Sequence, residues 1–298
     1  MSRTARGVFP ATVTSVQQLS PTFFRVSFAS PELRNLAPGG PDQRIKLFFP
    51  QAGRSAEVPD VEDWYSVWRL LPNEERSAMR TYTIRASDPA AGELVVDFAA
   101  HGDAGPASRW ITRATPGDEL LVAGLDARAG AVTAGYEWHP GAATTLLIAG
   151  DETAVPAVAR ILESLPTDAR GAVFLEIPTA ADALPLEHPA GMQLSWLPRN
   201  AGTGSGHGAL LGSAVREFAD AWVGERATQD AGDDALINPD TEVLWEVPPG
   251  PEGAGLYAWL AGEATAITQL RRHLVRELGI DRSRVAFMGY WKLGRAEN

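Results

Sequence analysis

Cysteine is absent from this chain of 298 residues, which excludes disulfide bonds, thiolate catalysis and any cluster or zinc site held by cysteine. Long apolar runs are absent as well: no segment approaches the roughly 18 consecutive apolar residues that a membrane-spanning helix requires. The opening residues, MSRTARGVFP, lack the apolar stretch of a secretory signal. The sequence therefore predicts a soluble cytoplasmic protein with no membrane insertion.

Positive charge is scarce: 26 basic residues stand against 37 acidic ones, giving a formal net charge of −11. A nucleic-acid partner is not expected, because binding to phosphates needs a basic face. The five histidines are scattered, so a dedicated metal site is not expected either. Among the basic residues only Lys46 and Lys292 are lysine. Either they are chance surface lysines or they serve where a compact, mobile charge is needed.

Short strand-like segments fill the first half of the chain. They are rich in β-branched and aromatic residues, and turn sequences such as P-G-D separate them. The segments are 9–16, 22–29, 44–50, 80–86, 92–100 and 118–124. With one helix predicted at 106–113 and a polar loop at 51–78, this half is expected to form a six-stranded antiparallel β-barrel.

The second half alternates strand and helix segments, a rhythm typical of βαβ units around a parallel sheet. Strands are predicted at 144–150, 171–178, 192–198, 255–262 and 284–291, and helices at 154–165, 209–221 and 264–279. Residues 224–240 are polar and typical of an exposed loop. The predicted fold class is therefore β plus α/β, with a barrel domain at 1–128, a linker at 129–142 and a Rossmann-like parallel-sheet domain at 143–298.

A candidate site in the first half begins with R-T-Y-T at 80–83. Strand alternation places Arg80 and Tyr82 on one face, and Thr81 and Thr83 on the other. An aromatic ring beside a guanidinium suits a flat, phosphorylated cofactor, because the ring can stack and the guanidinium can pair with phosphate. An ordinary exposed strand face is the alternative.

The sequence H-G-D-A-G-P-A-S-R-W at 101–110 follows and opens the predicted helix. Gly102 and Gly105 allow close backbone approach, and Pro106 suits the first helical turn, where free N–H groups form an anion site. Next to a strand that carries Arg and Tyr, this arrangement predicts a dinucleotide site. A simple helix-start loop is the alternative.

In the second half, the first strand ends in G-D-E-T-A-V-P at 150–156 rather than in G-x-G-x-x-G, so the standard dinucleotide fingerprint is missing. Asp151 and Glu152 would repel a pyrophosphate placed directly on this turn. A second turn, A-G-E-A-T at 261–265, ends another strand, as expected for a ligand site at the carboxyl edge of a parallel sheet. Glu263 is equally compatible with a helix-capping role.

Taken together, R-T-Y-T, D-F-A-A-H-G-D-A-G-P-A-S-R-W, G-D-E-T-A-V-P-A and W-L-A-G-E-A resemble the motifs of the siderophore-interacting proteins. These are FAD-dependent ferric-siderophore reductases of the ferredoxin–NADP reductase superfamily. The resemblance spans nearly the whole chain, with the motifs in family order. It implies that FAD takes hydride from NAD(P)H and passes electrons to a ferric siderophore, chemistry that requires no catalytic side chain of the protein.

The resemblance also implies roles for individual residues. Arg80 would contact the FAD phosphates, Tyr82 would lie against the isoalloxazine, and Thr83 would sit near the flavin edge that accepts hydride. Because alternation puts Tyr82 and Thr83 on opposite faces, Thr83 would act through its backbone or a twisted strand end. The remaining predicted FAD-site residues are Thr81, Asp97, His101, Gly102, Gly105, Pro106, Ala107 and Trp110.

For the nicotinamide dinucleotide, the resemblance implies a site at the ends of two strands, formed by Asp151, Thr153, Ala154, Gly262, Glu263 and Ala264. Arg199, just after the strand MQLSWLP, is placed to read an adenosine 2′-phosphate, which favours NADPH with NADH possible. Arg271 and Arg272 on a later helix are further candidates, with a solvated helix face as their alternative.

Lys46 and Lys292 are predicted to line the substrate side of the flavin cleft, where ammonium groups could attract an anionic ferric siderophore. Two other functions stay open at this point. One is another flavoenzyme of the superfamily, such as a ferredoxin or flavodoxin reductase. The other is a non-enzymatic siderophore or flavin carrier. A monomer is favoured.

Overall fold

The structure is a computed structural model, and it describes residues 6–37, 40–51, 53–61, 63–100, 105–130, 135–201, 206–224 and 245–294. The chain divides into two compact units between Tyr136 and Glu137. This division lies within the stretch 129–142 that the sequence predicts as a linker. No helix in the described parts of the chain is both long and apolar enough to cross a membrane.

The first unit is a closed antiparallel barrel with the strand order β1-β2-β5-β4-β3-β6, which confirms the predicted six-stranded architecture. Its strands are β1 (Arg6–Gln18), β2 (Phe23–Ala29), β3 (Arg44–Phe49), β4 (Ala78–Asp88), β5 (Glu93–Ala99) and β6 (Glu119–Leu125). Alternate residues fill the interior, as β3 illustrates: Ile45, Leu47 and Phe49 belong to the buried core of the barrel. Closure leaves none of these six strands as a free sheet edge.

A short helix, α1 (Trp64–Leu70), covers part of the outer barrel surface, where the sequence predicts only a polar loop. Asp63 caps the helix by accepting a hydrogen bond from the Ser66 N–H at 3.3 Å. Trp64 and Trp68, one helical turn apart, pack edge-on against Phe48 of β3 with ring centroids 5.5 and 5.8 Å away. The i, i+4 tryptophan pair was the signal for this helix, because such residues share one helical face.

The second unit contains a six-stranded sheet with the order β10-β12-β11-β7-β8-β9. Its strands are β7 (Thr145–Asp151), β8 (Gly171–Ile177), β9 (Met192–Pro198), β10 (Trp245–Glu246), β11 (Leu256–Glu263) and β12 (Val285–Trp291). Five strands run parallel, as predicted. The short β10 pairs antiparallel with β12, so the sheet is mixed rather than purely parallel.

Helices α3 (Val155–Ser164), α4 (Ala209–Gly224) and α5 (Ala264–Arg272) connect these strands, and a π-helical turn at His273–Glu277 prolongs α5. The central strand β11 is buried along its entire length, which explains its nearly continuous apolar sequence. From β7 the chain proceeds to β8 and β9 on one side, and later crosses to β11 and β12 on the other. The sheet therefore has its topological switch point between β7 and β11, where ligands of such sheets bind.

Candidate functional site

Strand β4 of the barrel presents the predicted R-T-Y-T motif in the alternation expected from the sequence. Arg80 pairs with Leu47 and Tyr82 pairs with Ile45, and both partners belong to the barrel core. Arg80 and Tyr82 therefore share the inward-facing side of the strand, and both are only half-buried. Thr81 takes the outward-facing side.

An aromatic cluster links this strand to helix α2 (Pro106–Ile111). The Tyr82 ring lies 4.4 Å from Phe98 and 6.3 Å from Phe49, measured between ring centroids. Trp110 of α2 packs on the same two rings, at 5.8 Å from Phe98 and 5.4 Å from Phe49. Tyr82 and Trp110, both predicted for the flavin site, thus share two neighbours in the barrel core.

The residues around this cluster suit a dinucleotide that carries a flat aromatic ring system. Gly105 precedes α2 with no side-chain cap, and a Cβ built on it would meet no atom of the described residues within 4 Å. Arg80 is partly engaged, since its Nη1 donates to the Met79 carbonyl at 2.7 Å. Pro106 is half-buried and Ala107 is buried in the barrel core. His101 and Gly102 lie outside the described residues.

Two other predicted residues have less open surroundings. Thr83 is buried on the face opposite Tyr82, so its side chain does not share the open face with that ring. Asp97 is buried and accepts two hydrogen bonds from Arg25, at 2.7 and 2.8 Å, with Arg85 3.5 Å away. The Asp97 carboxylate therefore ties strands β2, β4 and β5 together, and its predicted contact with a cofactor gains no support from these bonds.

Lys46 lies beside the motif on the outward-facing side of β3. It pairs with Thr81 across the β3–β4 ladder, and its ammonium donates to the Thr81 hydroxyl at 2.5 Å. The outward direction of Lys46 agrees with the prediction. Its role in binding a substrate stays a prediction.

Asp151 lies at the carboxyl end of β7, next to the switch point of the sheet in the second unit. Its Oδ1 accepts from the Thr153 N–H at 2.9 Å and from the Thr153 hydroxyl at 2.5 Å. Its Oδ2 accepts from the Glu263 N–H at 2.8 Å and from the Trp291 indole at 2.7 Å. One carboxylate thus fixes the ends of β7, β11 and β12 relative to one another.

The neighbouring turn is shaped around this carboxylate. Gly262 has φ +149°, and a Cβ built on it would lie 2.6 Å from Asp151 Oδ2, so the close approach requires glycine. Glu263 caps α5 by accepting from the Ala266 N–H at 2.9 Å and also accepts from the Leu293 N–H at 3.2 Å. These contacts therefore support the helix-capping role of Glu263. Ala154 and Ala264 are buried at the starts of α3 and α5.

Burial raises the pKa of Asp151 to about 6, and the negative charge of Glu152 adds to this shift. Hydrogen bonds from Thr153 and Trp291 act in the opposite direction, because they stabilise the ionised carboxylate. Asp151 is therefore a buried acid that titrates closer to neutral pH than an ordinary aspartate.

Arg199 forms the core of a second charged network. Its two terminal nitrogens donate to both oxygens of Glu152, at 2.7 and 2.8 Å, and Nη1 also lies 3.3 Å from Glu176. Both glutamates have no exposed surface, and the Arg199 side chain is 11% exposed. Burial by itself would lower the pKa of Arg199, but the hydrogen bonds and charges of the two glutamates outweigh it and raise the pKa. The prediction that Arg199 reads a 2′-phosphate gains no support from this geometry.

Sequence reasoning missed two residues of these networks. Glu176 accepts from the Gly208 and Leu211 N–H groups at 2.8 and 3.0 Å, and so anchors the start of α4. A carboxylate inside the apolar strand GAVFLEI was the available signal, because such a charge must be paired. Trp291 carried no comparable signal, since its bond to Asp151 joins residues 140 positions apart. Lys292 follows it directly, at the carboxyl edge of β12.

Comparison with known proteins agrees with the two-unit architecture. The family model described as "Siderophore-interacting FAD-binding domain" matches residues 12–129, and the model described as "Siderophore-interacting protein" matches residues 143–294. The ferric vibriobactin reductase ViuB of Vibrio cholerae is 28% identical over 301 residues, which cover 100% of this chain and 94% of that protein.

Solved structures show the same relationship. A siderophore utilization protein from T. fusca is 28% identical with a TM-score of 0.70, covering 99% of this chain and 96% of that one. A ferredoxin NADP⁺ reductase from Neisseria gonorrhoeae, solved with bound FAD and NADP, covers 95% of this chain and 99% of its own at 12% identity and a TM-score of 0.56. The latter similarity concerns the fold alone. From the barrel, the switch-point sheet and these matches along nearly its whole length, the chain belongs to the siderophore-interacting protein family.

Proposed function

We propose that this protein is a cytoplasmic, FAD-dependent reductase that takes electrons from NAD(P)H and delivers them to a ferric siderophore, which then releases its iron. The observation that carries the proposal is the match of both family models together with the full-length similarity to a ferric vibriobactin reductase. Two electrons from one nicotinamide reduce two ferric ions to ferrous ions, and the nicotinamide is oxidised.

The flavin is proposed to bind at the open end of the aromatic cluster in the barrel. Tyr82 and Trp110 offer ring faces and edges held by core packing, Arg80 offers a cation, and Gly105 leaves space for a phosphate near the backbone. When bound, FAD supplies the redox chemistry by accepting hydride and passing on single electrons. The chain's own residues bind and orient it.

The nicotinamide dinucleotide is proposed to bind at the switch point of the sheet. Asp151 holds three strand ends together and Gly262 permits their close approach, so the edge is rigid before a ligand arrives. A preorganised edge lowers the conformational cost of binding. The sequence favours NADPH with NADH possible, and the surroundings of Arg199 bear on this choice.

The substrate is proposed to be an anionic ferric chelate attracted by Lys46 and Lys292. Both chain neighbours of Lys292 are held in place, because the Trp291 indole N–H donates to Asp151 and the Leu293 backbone N–H donates to Glu263. A lysine on a fixed backbone with a flexible stem combines a defined position with an adaptable charge.

The test uses the purified, full-length protein. We expect a flavin absorption spectrum that bleaches on anaerobic addition of NADH or NADPH and recovers when a ferric catecholate is added, while a ferrous-specific chelator turns coloured. A colourless protein that takes up no FAD would refute the proposal. Recovery with a ferredoxin or flavodoxin but not with any ferric chelate would assign the protein to the other branch of the superfamily. Bound flavin without any bleaching would favour a carrier.

A further inference from the structure

The surroundings of Arg199 bear on which nicotinamide dinucleotide the protein uses. In a βαβ unit, an acidic residue near the end of the second strand favours the 2′-hydroxyl of NADH, whereas a nearby arginine accommodates the 2′-phosphate of NADPH. Both residue types are present here. Glu176 lies near the end of β8, the second strand of the unit, and Arg199 directly follows the adjacent strand β9.

The terminal nitrogens of Arg199 already donate hydrogen bonds within the protein. Both of its terminal nitrogens bind Glu152, at 2.7 and 2.8 Å, and one of them is also 3.3 Å from Glu176. The bidentate geometry with Glu152 is the one that a guanidinium would otherwise offer to a phosphate. Binding to a 2′-phosphate would therefore compete with an existing pair of charge-assisted hydrogen bonds.

The two carboxylates cannot easily release the guanidinium. Glu152 and Glu176 have no exposed surface, so water cannot replace the lost contacts. Glu176 is further fixed by the Gly208 and Leu211 N–H groups. The three side chains together carry one net negative charge, and Asp151 is the chain neighbour of Glu152. A dianionic phosphate would approach a region whose fixed charge is already negative.

We propose that Glu152 and Glu176 hold Arg199 in an internal ion-pair network, and that the dinucleotide site consequently selects NADH over NADPH. This inference rests on the proposed function and deepens it, since it names the electron donor. It reverses the expectation from the sequence, in which Arg199 reads the 2′-phosphate and NADPH is favoured.

The test is equilibrium binding, measured by calorimetry, of ADP-ribose and of 2′-phospho-ADP-ribose to the full-length flavoprotein. We expect the wild-type protein to bind ADP-ribose at least about tenfold more tightly, the scale of one charge-assisted hydrogen bond. Glu152→Gln removes one buried charge and loosens the hold on Arg199, so it should shift the affinity ratio toward the 2′-phosphorylated ligand by about tenfold. Glu163→Gln on the exposed surface of α3 is the matched control and should leave the ratio unchanged.

Each outcome decides a separate point. Tighter wild-type binding of 2′-phospho-ADP-ribose would overturn this inference and leave the proposed reductase function intact. An unchanged ratio in folded Glu152→Gln would overturn the assignment to this network. Binding of neither ligand would overturn the inference and the proposed NAD(P)H donor together. If Glu152→Gln does not fold, the wild-type ratio alone still decides the preference.

Discussion

The two candidate sites use polar residues in opposite ways. In the barrel, Arg80, Tyr82 and Trp110 are half-buried, and no described residue lies within 4 Å of a Cβ built on Gly105. At the sheet edge, the charged side chains are buried and bind one another or the backbone. Half-exposed residues can contact a ligand directly, whereas buried charges hold the backbone that the ligand meets. Residue type alone therefore predicted partly exposed side chains at the first site and missed the buried pairing of charges at the second, while the ligand contacts of both sites stay predictions.

Because of this difference, mutations at the two sites should affect different properties of the protein. Substitutions in the barrel site should weaken ligand binding while the fold persists. Substitutions at the sheet edge should first lower the free energy of unfolding, because each removes a partner from a buried charge.

Arg199→Ala should lower the free energy of unfolding by about 3–5 kcal/mol, because it leaves Glu152 and Glu176 buried without their cation. Urea denaturation measures the change. Arg160→Ala is the control, since Arg160 forms an exposed i, i+3 pair with Glu163 at 3.4 Å and should change stability by less than about 0.5 kcal/mol. Equal, small effects of the two substitutions would contradict the contrast between the sites.

Asp151 should make stability depend on pH in an unusual direction. Burial and Glu152 raise its pKa from 3.8 to about 6, so between these values the folded protein retains a proton that the unfolded chain has lost. The stabilisation is complete below about pH 4 and is lost as pH rises through about 6, a decrease of about 3 kcal/mol.

Asp151→Asn isolates this effect, because the amide does not titrate. Urea denaturation between pH 4 and 7 should show the wild-type stability falling relative to that of the variant as the pH rises. A difference that stays constant, or one that grows with pH, would show that Asp151 is ionised throughout. Whichever way the amide is turned, its NH2 group would meet at least one N–H donor, from Thr153 on one side or from Glu263 and Trp291 on the other. The variant should therefore be less stable by about 1–3 kcal/mol at neutral pH.

Arg80→Ala should give a folded but largely colourless protein, with FAD affinity reduced by about 1.5–3 kcal/mol, the range for a hydrogen bond to a charged group. Flavin absorbance after gel filtration and the melting temperature measure occupancy and stability separately. Arg34→Ala, at an exposed position of the same unit, should retain the colour. Full flavin occupancy in Arg80→Ala would remove this residue from the site.

Lys46→Ala and Lys292→Ala should each lower kcat/KM for an anionic ferric chelate by roughly tenfold, about 1.4 kcal/mol, with the rate of flavin reduction by the nicotinamide unchanged. Stopped-flow absorbance separates the two half-reactions. Arg113→Ala, which removes an exposed cation outside the predicted site, controls for a general effect of charge. Unchanged chelate reduction in both lysine variants would assign the lysines no role in substrate binding.

The barrel, the five parallel strands and the family could be predicted from the amino-acid sequence. These features follow from local patterns: two-residue alternation, apolar strand runs and motifs whose residues are close together in the chain. It also predicted that Arg80 and Tyr82 share a face, because a strand's alternation fixes which of its side chains lie together. Helix α1 could have been predicted from Trp64 and Trp68, whose spacing is helical.

The pairing of charges at the sheet edge could not be predicted from the sequence, because it depends on long-range contacts. Arg199 meets Glu152 across 47 positions of sequence and Glu176 across 23, and Asp151 meets Trp291 across 140. Which strand ends are neighbours depends on the order of strands in the sheet, and no local pattern encodes the distance between two such side chains. Arg199 therefore pairs with glutamates inside the fold, although the sequence suggests that it could bind a ligand. The reason is that a buried carboxylate without a cationic partner would cost a large free energy.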